Sequence, residues 1–376
     1  MMNPWKRATR KILPPVLVIA GVLLIADSVM ATLAPEAPHD GYEITWLGDT
    51  FLGDRAERLL EENGYGWAFA ALPDVASSDL TVVNHQAPLT VRNELPDGVD
   101  VFYVPDSPLA RYRIRTSQGT VTRYIHRSSP AAAEALAEYG VDIAVLANNH
   151  AMDQGPEGLQ DTLQALETAG IAAIGAGPNR DSALRPVIEE SPYGRVAVFA
   201  FGEEGGTSPD ATSQSAGICV LNETNVIAAR DMAREMGAEW TVAVVRWGDG
   251  YADVVLSQEK WARLLAENDF NLVVGSGPHV LQRIEIVGRM PVIYSLGNFV
   301  FNTSGRFSEA VPGYGAMVTT VLGPRGFREL RLLPIHVDNS IVLYQPRPCD
   351  REVARQVLAA MSPDIDMDGA VGVLRW

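Results

Sequence analysis

The chain is short of cysteine, of net positive charge and of repeated sequence, and each shortage narrows its possible roles. Only Cys219 and Cys349 occur in 376 residues. One disulfide is the most an oxidising compartment could form; a buried thiol and a surface thiol that never meet are the alternative. Acidic residues outnumber basic ones by 46 to 30, a net charge of −16. That sign excludes general affinity for nucleic acid or for anionic membrane surfaces. No solenoid or propeller period and no long low-complexity tract is visible. The remainder, 47% hydrophobic and 20% charged residues, is ordinary for a globular protein able to bury a large core.

The first residues read as a targeting segment. Lys6, Arg7, Arg10 and Lys11 precede the uncharged run Ile12 to Ala26, and a softer stretch continues to Ala34. Basic residues before an apolar run hold the N-terminus inside and send the rest of the chain outward. An uncleaved anchor needs about 20 apolar residues and a signal h-region about 7–15. This segment lies between them. Val29-Met30-Ala31 would serve as a cleavage site, but there is no lipobox Cys. The expected organisation is a cytoplasmic basic tail (1–11), a transmembrane anchor or signal segment (12–34), a polar linker (35–41), one large domain (42–345) and a helical extension (346–376).

From Tyr42 onward apolar strands alternate with amphipathic helices, which predicts a layered α/β domain. Strands are expected at Tyr42 to Leu47, Leu80 to Val83, Val141 to Ala147, Arg195 to Phe201, Thr241 to Val245, Leu272 to Val274 and Val292 to Tyr294. Ser129-Pro130 predicts a helix start, with Ser as N-cap and Pro at the first helical position. After Gly315, three antiparallel strands are expected, the last at Ile341 to Tyr344, then a helix from Cys349 to Met361. Arg111 to Arg127 reads as a hairpin with Arg111, Arg113 and Arg115 on one face. Such a ribbon is either a polyanion contact or a solvated face paired with carboxylates.

Polar residues close several of the apolar runs, where open α/β sheets assemble their sites. Asp49 follows Gly48, Asn148-Asn149-His150 ends the run from Val141, and His279 follows Pro278. Strand-tip Asp, Asn and His suit a divalent metal, which activates water and clamps an oxygen. Gly-Asp alone is most often a turn, and a lone His is most often structural. Asn298, in Tyr294-Ser-Leu-Gly-Asn298-Phe299, ties a tight turn and positions rather than reacts.

The order of these elements resembles the CapA-type poly-γ-glutamate capsule biosynthesis family, whose fold is related to the calcineurin-like metallophosphoesterases. The resemblance spans roughly 42–302. It rests on Gly48-Asp49, Asn84, Ala147 to Gly155, Gly175-Ala176-Gly177, Trp247-Gly248, Gly275 with Pro278-His279-Val280, and Ser295 to Phe299. It implies an α/β layered sandwich of the metallo-dependent phosphatase-like type, preceded by one N-terminal hydrophobic helix. It also implies an extracytoplasmic site at the cell membrane, the secreted form being the alternative. The implied partners are poly-γ-glutamate or a related anionic polymer and membrane-embedded synthesis subunits.

Departures from the family pattern fall where metal ligands should lie. Its Asn-Leu-Glu stands here as Asn84-His85-Gln86, its His-Trp-Gly-x-Glu as Arg246-Trp247-Gly248-Asp249-Gly250, and its Gly-His-His-Pro-His as Gly275-Ser276-Gly277-Pro278-His279. The matching positions retain Asp49, Asn149, His150 and His279 as metal candidates, with His150 the catalytic candidate. Asn84, Asn148, Arg246 and Asn298 are the candidates for binding substrate. Arg246 tells most, because a guanidinium cannot ligate a metal and stays protonated. The expectation is a degenerate site with a binding or scaffold role. The alternative is a metal-dependent hydrolase of phosphoester or amide bonds holding one Mn, Zn or Fe, helped by His85 or Asp249.

Overall fold

The computed structural model describes residues 41–92, 101–103, 111–116, 119–203, 208–302 and 305–376, residue 76 excepted. The basic tail, the anchor or signal segment and most of the linker lie outside those residues. Among the described residues no helix is long and apolar enough to cross a membrane. Residues 41–376 form one compact unit.

The chain first lays down β1 (Tyr42–Phe51), β2 (Leu80–His85), β3 (Ile143–Val145) and β4 (Ala172–Ile174), paired parallel in that order. It then builds a second parallel set, β5 (Gly194–Gly202), β6 (Trp240–Arg246), β7 (Leu272–Ser276) and β8 (Met290–Ile293). Finally it returns to the first sheet. There β9 (Asn298–Phe301) runs parallel beside the end of β1, and β10 (Tyr314–Gly323) and β11 (Gly326–His336) extend the sheet antiparallel.

Alternation within the strands explains why the two sheets stack. Val196, Val198 and Ala200 of β5 point to one apolar cluster, with Ile44 and Trp46 of β1 and Leu80 and Val82 of β2. Ala197, Phe199 and Phe201 point the other way, under the helices Glu223–Glu235 and Leu256–Glu267. The opposite face of the first sheet is covered by Ala131–Tyr139 and Gly155–Thr168. Side chains of period two on strands buried on both faces produce this helix–sheet–sheet–helix sandwich. Trp46 sits in the middle, its indole N–H donating to Thr320 Oγ1 at 2.9 Å, so the largest central side chain leaves no orphaned donor.

Three local expectations are corrected. Ile341 to Tyr344 is not a strand: Asp338 Oδ1 accepts from Ser340 N and starts the short helix Asn339–Val342, after which Leu343 and Tyr344 take left-handed backbone. The capping chemistry of Asp338 wins over an apolar run too short to reach a neighbour. Residues 366–375, expected within a helical extension, form the hairpin Asp366–Asp368 and Val371–Arg375, which pairs with β11. Pro130, not Ser129, occupies the cap of Ala131–Tyr139, and Ser129 Oγ accepts from Ala131 N at 3.4 Å. The Arg111–Thr116 and Gly119–Tyr124 strands do form the expected hairpin.

Candidate functional site

The C-terminal tips of strands from both sheets meet at Asp49. A register shift between Leu47 and Asp49 turns the end of β1, and Gly48 lets the 297 loop press against it. A Cβ at Gly48 would lie 2.2 Å from Gly297 O, and Asp49 N donates to that same oxygen. The Asp49 carboxylate is fully buried and surrounded by donors. Oδ1 accepts from Asn84 Nδ2 (2.6 Å) and Gln86 Nε2 (2.9 Å); Oδ2 accepts from Gly277 N (3.2 Å) and faces His279 Nδ1 (3.1 Å). Burial alone would raise its pKa, but the His279, Gln86 and Asn84 bonds outweigh burial and hold the carboxyl below its ordinary value.

His279 adopts left-handed backbone, φ 62°, which aims its ring back at β1. Its Nδ1 lies 2.9 Å from Asn298 Oδ1 as well as 3.1 Å from Asp49. Two acceptors on one ring nitrogen mean that Nδ1 carries the proton. The ring packs between Phe301 and Tyr251. Asn298 Oδ1 therefore helps orient the His279 ring. Asn84 uses its amide N–H groups on Asp49 and on Ser276 Oγ (2.8 Å), while its Oδ1 is buried without a hydrogen-bond partner.

Arg246 is the last residue of β6, flanked in register by Gly202 of β5 and Ser276 of β7. The residue is half-buried; burial lowers its pKa, and the charges of Asp49 and Glu203 act against that shift. The neighbour Gly277 has φ 104°, and a Cβ there would sit 3.1 Å from Arg246 Cγ and Nε. Only glycine leaves that room.

A second cluster gathers around His150. Asn148 is fully buried; its Nδ2 donates to His85 O (2.7 Å) and its Oδ1 accepts from His150 N (3.0 Å). His150 Nδ1 lies 2.7 Å from Asp153 Oδ2, and that same oxygen accepts from His126 N. The His126 ring lies 4.4 Å from His150 and 4.6 Å from Phe51, centroid to centroid. Burial, then the charges of His150 and His279, push the His126 pKa well below the usual histidine value. His85 is wholly buried on the other side of β2, and burial lowers it to about 4.

Of the metal candidates, Asp49 and His279 are in contact, whereas His150 is committed to Asp153 and His126. Asn149 is half-buried beside them. This donor set does not fit a divalent ion. One carboxylate and one imidazole meet, fewer than the three protein ligands a catalytic zinc keeps, and a guanidinium lies nearby. Among the described residues no group of three or more His, Cys, Asp or Glu could hold a metal ion. Sequence reasoning left Gln86, Ser276, Gly277, His126 and Asp153 out of the site. Gln86, Ser276 and Gly277 carried the signal of standing at altered ligand positions, and Asp153 lies three residues beyond His150; His126 had none.

A family model described as bacterial capsule synthesis protein PGA_cap matches residues 43–303. The chain is 24% identical over 344 residues to the capsule biosynthesis protein CapA of Bacillus anthracis, covering 89% of this chain and 77% of that one. It is 24% identical over 347 residues to the PGA biosynthesis protein CapA of Bacillus subtilis, covering 92% and 83%. A putative 5′-nucleotidase from Staphylococcus aureus aligns at 14% identity and a TM-score of 0.42, covering 79% of this chain and 55% of that one. At that score the likeness carries no argument about activity.

Proposed function

Because the chain belongs to the PGA_cap family of bacterial capsule synthesis proteins, we propose that it serves the synthesis or export of a capsular anionic polymer as a binding or scaffold part. The polymer that the family resemblance implies is poly-γ-glutamate, and one relative is named as a PGA biosynthesis protein. The observation that carries this reading is the closed state of Asp49: four N–H donors occupy its two oxygens beside a guanidinium. A carboxylate used that way holds a pocket in shape and does not wait for a cation. Metal analysis of protein purified without chelator tests it. The expected result is Mn, Zn and Fe well below one equivalent, with no change in Asp49→Ala. One equivalent that disappears in Asp49→Ala overturns it.

A second reading has one observation in its favour. His150 and the fully buried Asp153 form an imidazole–carboxylate pair at 2.7 Å, with the imidazole side chain 16% exposed. That is the arrangement of a general acid or base held by a carboxylate. On this reading the protein is a hydrolase of phosphoester or amide bonds, with His150 as the proton-transferring group that Asp153 holds. His150→Ala, assayed on polymer and on aryl phosphate, separates the two.

The domain works at the outer face of the cytoplasmic membrane, held by 12–34 and in contact with membrane-embedded synthesis subunits. The basic flank before the apolar run supports this orientation. Protease added to intact spheroplasts should digest residues 41–376; complete protection there would refute it.

A further inference from the structure

Arg246 has a use that no contact within the protein explains. Its guanidinium forms no hydrogen bond and no ion pair among the described residues, and Nε is buried without a partner. The residue as a whole is partly exposed, so the rest of the fork opens toward solvent at the strand tips. A buried Nε–H with no acceptor is costly unless a ligand brings one. The backbone is shaped around it: Gly277, at φ 104°, leaves the space that Arg246 Cγ and Nε fill. At the same strand tips Asn84 Nδ2 donates to Ser276 Oγ at 2.8 Å, and Ser276 pairs in register with Arg246.

The charges nearby limit what can bind. Asp49 and Glu203 both act on Arg246, yet neither is within ion-pair distance of it. Asp49 is turned away by its own four donors, and Glu203 is held by Gly248 N at 2.8 Å. Two fixed negative charges around one positive charge disfavour more than a single added negative charge. A dianion, or a second carboxylate close behind the first, is repelled.

We propose that Arg246 is the receptor for one monoanionic carboxylate, so that the pocket is a socket for a single group of a ligand and not a track for a polyanion. The planar fork suits a carboxylate bidentately. This inference rests on the polymer-binding reading for its biological ligand, a chain of carboxylates joined by amides. The chemistry of the socket stands without it.

The test is titration calorimetry on the full chain with N-acetylglycine, which carries one carboxylate and one amide N–H, against inorganic phosphate and poly-γ-glutamate oligomers of increasing length. N-acetylglycine should bind one per chain, and Arg246→Gln should weaken it by about tenfold or more. Arg246→Lys should recover only part of the loss. Should Arg246→Gln fail to fold, Glu203→Gln serves instead, and removing that charge should tighten N-acetylglycine several-fold. Affinity per oligomer should stop rising beyond a few residues and depend weakly on salt. No binding to the wild type, equal binding to Arg246→Gln, or tighter binding of phosphate would overturn the proposal. So would affinity that climbs with oligomer length and falls steeply with salt. Metal content reports on the proposed function and the isotherm on the socket, so either can fail alone.

Discussion

Replacing Asp49 by Ala should destabilise the protein, and the size of the loss separates a structural network from a metal centre. Four donors, Asn84 Nδ2, Gln86 Nε2, Gly277 N and His279 Nδ1, lose their acceptor in a site with no exposure. A hydrogen bond to a charged group contributes roughly 1.5–3 kcal/mol, but bonds sharing one acceptor do not add. Stripping one partner from a buried charged network costs about 3–5 kcal/mol, which is the figure expected here. Asp49→Asn keeps the volume but turns its NH2 against two of the donors, and should cost about 1–3 kcal/mol. Urea denaturation read from the midpoints measures both. In an ion-free metal centre, deleting a carboxylate from a cluster of like charges relieves repulsion and leaves stability equal or higher. That outcome for Asp49→Ala would refute the reasoning. The acid limb gives a second readout. The folded pKa of Asp49 is held below its unfolded value, so its contribution is full above the unfolded pKa and disappears as pH falls through the lower folded one. Asp49→Asn should remove that part of the acid slope.

Other single residues carry their own expected outcomes. His85 falls from 6.5 to about 4 on burial, so the unfolded chain takes up its proton first and stability drops as pH falls from 6.5 toward 4, by up to about 3 kcal/mol; His85→Leu should flatten that slope in a pH series of urea melts. Gly277→Ala puts a Cβ at φ 104° and 3.1 Å from Arg246, and should cost about 1–3 kcal/mol by thermal melting; an unchanged melting temperature would contradict the strain. Cys219 and Cys349 are both free and buried, so they form no disulfide with each other, and burial pushes each thiol up to about 12. Ellman's reagent should find no fast-reacting thiol in the native protein and two after denaturation.

What could be read from the sequence was what strand and helix periodicity encode. Arg195 to Phe201 and Thr241 to Val245 alternate strictly between two apolar environments, and those strands lie where the pattern put them. The site's location was legible for the same reason: Asp49, Asn148 and His279 each end an apolar run. Its wiring was not. Asp49 meets Gly277 across 228 residues of chain, and Asn84 meets Ser276 across 192, and no local pattern records a bond of that span. His126 sits at the end of a hairpin whose charge drew attention to Arg111, Arg113 and Arg115, so its ring contact with His150 had no signal. The hairpin at 366–375 was hidden because its first strand, Asp366-Met367-Asp368, lies at the sheet edge and is too short for its alternation to register. At Ile341 the apolar run was real, but Asp338 converted it to a capped turn.

The path of the chain has one more effect. It leaves the first sheet after Ile174 and rejoins it at Asn298, so the second sheet is a loop of structure tethered at both ends to its neighbour. Asp49 belongs to the host sheet, and Gly277 and Arg246 to the guest. Anything that grips Arg246 while leaning on the Asp49 side would act as a clasp, and the two sheets would then melt as one body instead of loosening in sequence.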